Sequence, residues 1–183
     1  MKKMKNIYIF LSIICLISFI AGFKYYDFQN DTEKNEIKEN IDIKKTLNTR
    51  ENNILKTSKN IAIIFICSIL IIPILINITK LFYESFAIAF VMSILKTYSF
   101  KIAFLFGFVY YIIPLIFLIW LVRIGISISK QIIKYFLKHE KNTKKRLILL
   151  IKKYILISIF LIIYQILIFI FSPFLNNYLL GLL

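Results

Sequence analysis

Histidine occurs once in this chain, at position 139, and cysteine only twice, at positions 15 and 67. Each cysteine sits alone inside its own apolar run with no partner at metal-ligand spacing, so both read as small buried hydrophobes. Acidic residues are scarce as well, with nine Asp and Glu against 24 Lys and Arg. An intramembrane enzyme needs a nucleophile with its base, paired acids or a set of metal ligands, and none appears at a recognisable spacing. No catalytic residue, cofactor or metal is therefore expected.

Hydrophobic residues are what the chain has in excess. They make up 60% of 183 residues, and the mean hydropathy is +0.79. A single water-soluble domain of this length cannot bury so much apolar surface, because its surface remains large relative to its volume. Hydrocarbon is the fitting solvent. A layer about 30 Å thick takes roughly 20 apolar residues per helix, and five runs approach that length: Ile7 to Phe23, Ile61 to Ile78, Leu81 to Leu95, Ile102 to Val122, and Tyr154 to Ser172. The expected fold is all-α, a polytopic bundle of about five transmembrane helices. Residues 1–25 form a signal-anchor span, 26–59 an extracytoplasmic polar segment, and 60–183 a four-span domain with a basic cytoplasmic loop at 123–153. Phe19 and Ala21 make a poor cleavage pair, so the first span is read as uncleaved.

The net charge of +15 is distributed between the apolar runs and at their ends. Such a pattern marks orientation and contact with anionic lipid, and it argues against nucleic acid. With the N-terminus in the cytoplasm, the inner segments carry 14 basic residues against two acids, and the outer segments ten against seven. A multi-pass protein of the cell membrane with its N-terminus inside satisfies the positive-inside rule. Trp120 and Arg123 are then anchors at the inner interface.

In this topology Lys80 ends the second span and Glu84 opens the third, on the cytoplasmic side. A cation at a helix C-terminus and an anion at a helix N-terminus are each favourable by roughly 0.3–1 kcal/mol. Lys80–Glu84 is accordingly expected as a tight turn in the headgroup layer, with a proton- or partner-binding role for Glu84 as the alternative.

Ser85, Ala89 and Ser93 recur every four residues and share a helical face. Helices in lipid cannot associate by excluding water, so close backbone approach at small residues carries their packing. Ala103 and Gly107 form a second stripe, and Ser18 and Gly22 a third. Pro73 and Pro114 are expected to kink spans by leaving the carbonyls of Ile69 and Tyr110 without a donor. Gln165, central in the last run, is expected as interhelical polar glue. Between Ser127 and Lys153, Lys130, Lys134 and Lys138 share a face beside Ile132, Ile133, Phe136 and Leu137, and Lys144, Lys145 and Arg146 follow. This reads as an inner-surface amphipathic helix for anionic lipid or an acidic partner.

The order of features resembles the stage II sporulation protein M family over roughly residues 55–175. Tyr83-Glu84-Ser85-Phe86-Ala87-Ile88-Ala89-Phe90-Val91-Met92-Ser93-Ile94-Leu95 is similar to that family's third-span motif, with Ser85, Ala89 and Ser93 standing where glycines are expected. Pro114 matches a fourth-span proline, while Phe108-Val109-Tyr110-Tyr111 lacks the proline-led polar triplet found upstream of it in the family. The resemblance implies a non-enzymatic membrane scaffold of sporulation that anchors peptidoglycan hydrolases at the septum during engulfment. Those cell-wall hydrolases are its implied partners, reached through the outer polar stretch. The alternative is a permease-like transporter subunit, which requires polar or charged groups at mid-span on facing helices.

Overall fold

In the computed structural model, residues 2–40, 50–70, 73–138 and 143–180 are described, and among them there is no strand. The elements are α1 (Lys2–Asp27), α2 (Asp31–Asn40), α3 (Arg50–Ile69), α4 (Pro73–Lys96), α5 (Phe100–Gly107), a π-helical turn (Phe108–Ile112), α6 (Ile113–Lys138) and α7 (Thr143–Leu180). Four segments are long and apolar enough to cross a membrane: Asn6–Asp27, Leu75–Lys96, Phe100–Phe136 and Thr143–Leu175. This fits a multi-pass membrane protein.

The chain breaks where proline dictates. The apolar run from Ile61 to Ile78, expected as one span with a kink at Pro73, is divided instead. α3 ends at Ile69 and Pro73 is the first residue of α4. Proline suits that first helical position, since its missing N–H would have no intrahelical partner there. The ten residues 61–70 left on the α3 side reach about 15 Å, half the thickness of a hydrocarbon layer. α4 gathers the rest, together with Leu81–Leu95, into one 24-residue helix. Among the described residues there are thus four segments of membrane length, beside the expectation of about five spans.

The described residues of the basic stretch 123–153 are helical. α6 continues unbroken to Lys138, and α7 starts at Thr143. At about 1.5 Å per residue, Phe100–Phe136 extends about 55 Å, so this hairpin outruns the roughly 30 Å that spanning requires.

α1 and α4 run parallel, because their contacts advance together. The Ser18 hydroxyl donates to the Phe82 carbonyl, Gly22 lies against Phe86 and Ala89, and Tyr26 meets the Phe90 ring at 5.9 Å. α7 runs antiparallel to the rod formed by α5, the π-helical turn and α6, with the Tyr164 hydroxyl on the Val109 carbonyl at 2.8 Å and Ile168 in one cluster with Phe106 and Ala103. α3 lies along α6 and α7, where Ser129 donates to the Ser68 carbonyl and Tyr154 to the Ile61 carbonyl, each at 2.7 Å.

Polarity is inverted relative to a water-soluble bundle. Ser18, Ser68, Asn77, Ser85, Ser93, Ser129, Ser158, Gln165 and Ser172 are buried, whereas Ile155, Leu156, Ile159, Phe160, Ile163 and Phe171 face outward along α7. Serine hydroxyls between the helices return to carbonyls, as with Ser85 on Leu81 and Ser93 on Ala89. An added Cβ at Gly22 would run into the Phe86 carbonyl, backbone that cannot yield, and would fall 2.9 Å from Ala89 Cβ. Replacing Gly22 or Ala89 with Leu should separate α1 from α4 and destabilise the bundle by about 1–3 kcal/mol, the usual magnitude of overpacking. Thermal unfolding of the detergent-purified protein should show it, while Ser12→Leu, on the exposed face of α1, leaves the midpoint unchanged.

Candidate functional site

Glu84 is the twelfth of the 24 residues of α4. The turn expected at Lys80–Glu84 does not form, because the helix has already begun at Pro73. Glu84 thus stands about 17 Å from either end of its helix, far from any terminal dipole.

Two residues of the neighbouring α3 meet its carboxylate. Lys56 Nζ lies 3.0 Å from Oε2, and Asn60 Nδ2 donates to Oε1 at 3.3 Å. Lys56 and Asn60 are one helical turn apart and so project from a single face of α3. The pair is unequal in exposure, with the Lys56 side chain 54% accessible and that of Glu84 15%. The carboxylate is therefore held inside the bundle, while the ammonium approaches on a long stem from its open edge.

Behind the pair lies a cleft of about 60 Å³, lined by Lys56, Asn60, Glu84, Tyr110, Tyr111 and Gln165 on the polar side, and by Ile88, Pro114, Leu115, Leu118 and Leu161 on the apolar side. A water needs roughly 10–15 Å³ on this measure, so the cleft has room for a few small molecules of that size. Gln165 is 5% exposed and makes no hydrogen bond to any described residue. Its amide opens onto the cleft instead.

The wall contributed by Tyr110 and Tyr111 is the π-helical turn. Ile113 N–H bonds to the Phe108 carbonyl five residues back, the spacing of a π turn. Pro114 has no N–H for the Tyr110 carbonyl, and its ring crowds that oxygen; the widened turn in front of it relieves the clash. The irregularity expected at Pro114 is thus present as a bulge that sets two adjacent tyrosines into the cleft wall.

The other residues singled out in the sequence are dispersed. Ala89 lies against Gly22 of α1, Ser85 and Ser93 are buried on α4, and Ala103 is buried on α5. Gly107 faces Met92, whose sulfur an added Cβ would meet at 2.6 Å. Lys130, Lys134, Lys144, Lys145 and Arg146 are exposed on the far half of the α6–α7 hairpin. The side chain of Lys138 lies outside the described residues, as do His139 and Glu140. Near the base of the hairpin the Arg123 guanidinium is 3.5 Å from the centroid of the Tyr8 ring.

Lys56 and Asn60 are partners that sequence reading passes over, and Gly125, packed against Ser68, is a third contact of that kind. The i, i+4 spacing of Lys56 and Asn60 is visible in the sequence, yet it has meaning only once α3 is known to lie beside α4. No protein-family model, curated protein or solved structure matches the chain.

The ion pair is open to a double-mutant cycle. Glu84→Gln and Lys56→Met should each lower the unfolding midpoint in detergent, and the double variant should lose less than their sum, with a coupling of about 0.5–3 kcal/mol.

Proposed function

We propose that the chain is a non-enzymatic, permease-like membrane protein in which the Glu84 cleft handles a charged solute or ion. The observation that carries this reading is the carboxylate at the midpoint of a membrane-length helix, paired from a facing helix beside a water-sized cleft. An ionisable group at such depth is expensive in hydrocarbon and is kept where it faces a cavity or a transport path.

The polar half of α3 supports the same reading. Arg50 to Asn60 contains three basic residues, one acid and three asparagines, a composition tolerated at membrane depth only beside water or protein. It descends along the cleft and ends its polar portion at the Glu84 pair. With the N-terminus inside, α1 and α4 run outward together, the polar end of α3 faces outside, and the α6–α7 hairpin projects into the cytoplasm. This orientation accords with the ten basic residues of 123–153.

A second reading, the envelope scaffold resembling the stage II sporulation protein M family, draws support from that hairpin. Its described residues from 123 onward contain no acid, and its exposed lysines and arginine offer a surface for anionic lipid or an acidic partner. The exposed, mixed-charge α2, with Asp31 and Glu33 in its first turn, is the surface for wall-facing partners. Ala89 is already covered by α1 of the same chain, so such partners dock away from the small-residue stripe.

Purified protein in liposomes loaded with a pH-sensitive dye should carry protons or alkali cations down an imposed potassium diffusion potential, and Glu84→Gln should reduce the flux at least tenfold. Fluxes equal to those of protein-free vesicles would rule the permease-like reading out. For orientation, Lys145→Cys, with Cys15 and Cys67 replaced by Ala, should react with a membrane-impermeant maleimide only after cells are permeabilised.

A further inference from the structure

We infer that the Glu84 cleft is a binding site for a small monovalent cation, alkali or ammonium in type, and that Lys56 is its resident stand-in, a tethered ammonium that the ligand displaces. The inference deepens the proposal above and rests on its choice of this cleft as the working site.

Three observations meet here. First, the carboxylate is fixed and its counter-ion is not. Glu84 is largely enclosed and receives the Asn60 amide on Oε1, whereas the Lys56 side chain is half exposed and touches only Oε2. A lysine stem has four rotatable carbons and carries large rotamer entropy. Releasing Nζ therefore frees one carboxylate oxygen and regains side-chain freedom, while the Asn60 contact keeps the other oxygen in place.

Second, the cleft holds an acceptor with nothing to accept. Gln165, more than nine-tenths buried, lines the same space and has no hydrogen-bond partner among the described residues. Its carbonyl oxygen and the freed Glu84 oxygen are the kind of ligands that hard monovalent cations and ammonium protons take, and the Tyr110 and Tyr111 rings add faces that attract a desolvated cation.

Third, size and charge suit such an ion. A cleft of about 60 Å³ has room for a small monovalent ion together with a few waters. One carboxylate, without a second acid among the cleft residues, balances a single positive charge. An anion is excluded by the same carboxylate once Lys56 has moved aside.

The test is equilibrium binding in detergent, which is independent of flux, so it can fail while transport stands and succeed where transport fails. Sodium chloride and methylammonium chloride are titrated separately by calorimetry, with choline chloride as the control for ionic strength. Removing the tethered competitor with Lys56→Met, or with Lys56→Gln should the first variant misfold, is expected to tighten binding of at least one probe tenfold or more over the natural chain. The probe that tightens distinguishes an alkali from an ammonium ligand. Adding Glu84→Gln to either Lys56 variant should abolish binding, and adding Gln165→Leu should weaken it at least fivefold, each with helix content and gel-filtration profile retained. Equal affinities in the natural chain and both Lys56 variants would overturn the inference, as would binding that survives Glu84→Gln.

Discussion

Close contact between neighbouring backbones is the constraint on which this bundle depends. Where the surroundings of a helix are as apolar as its own side chains, burial against another helix gains little from hydrophobicity, and association rests on dispersion contact and short interhelical hydrogen bonds. Gly22 against Phe86 and Ala89, Gly107 against Met92, and Gly125 against Ser68 place three of the chain's four glycines at points where two helices touch. Around these points hydroxyls complete the seam, with Ser18, Ser129, Tyr154 and Tyr164 each donating to a carbonyl of another element.

That seam determines where charge can sit. Because α1 is pressed along α4, Glu84 projects away from α1 toward α3, the helix with a cation and an amide at the matching height. The tyrosines of the π-helical turn and Gln165 of α7 close the remaining sides. The polar cleft is thus a product of packing among five elements, none of which carries more than a fragment of it.

The helical class, the first, fourth and last apolar helices and the small-residue stripes were legible in the sequence, because hydropathy and four-residue spacing are local signals. The partition of residues 61–95 was not. Hydropathy divides that region at Lys80 and Glu84, where charge interrupts it, while the backbone divides it at Pro73, where a donor is missing. Reading Glu84 as a helix start followed from the first division, and its place at the centre of a helix follows from the second. The helix read between Ser127 and Lys153 is carried by two elements, the end of α6 to Lys138 and the start of α7 from Thr143, since lysine is a good helix former. Gln165 was legible as a polar group in need of a partner. That it lines a cleft without a partner among the described residues could be seen only in the structure.

The π-helical turn at Phe108–Ile112 also sets the rotational phase of the rod that runs from Phe100 to Lys138. Above it, Ala103 and Gly107 look toward α4; below it, Gly125 and Ser129 look toward α3. An α-helix turns about 100° with each residue, so one residue lost from this turn would swing everything from Pro114 onward by more than a quarter revolution. Serines now inside would face outward, and the outward isoleucines would crowd the interior. The wide turn is therefore a phase corrector, letting one continuous rod present matched faces to two different neighbours.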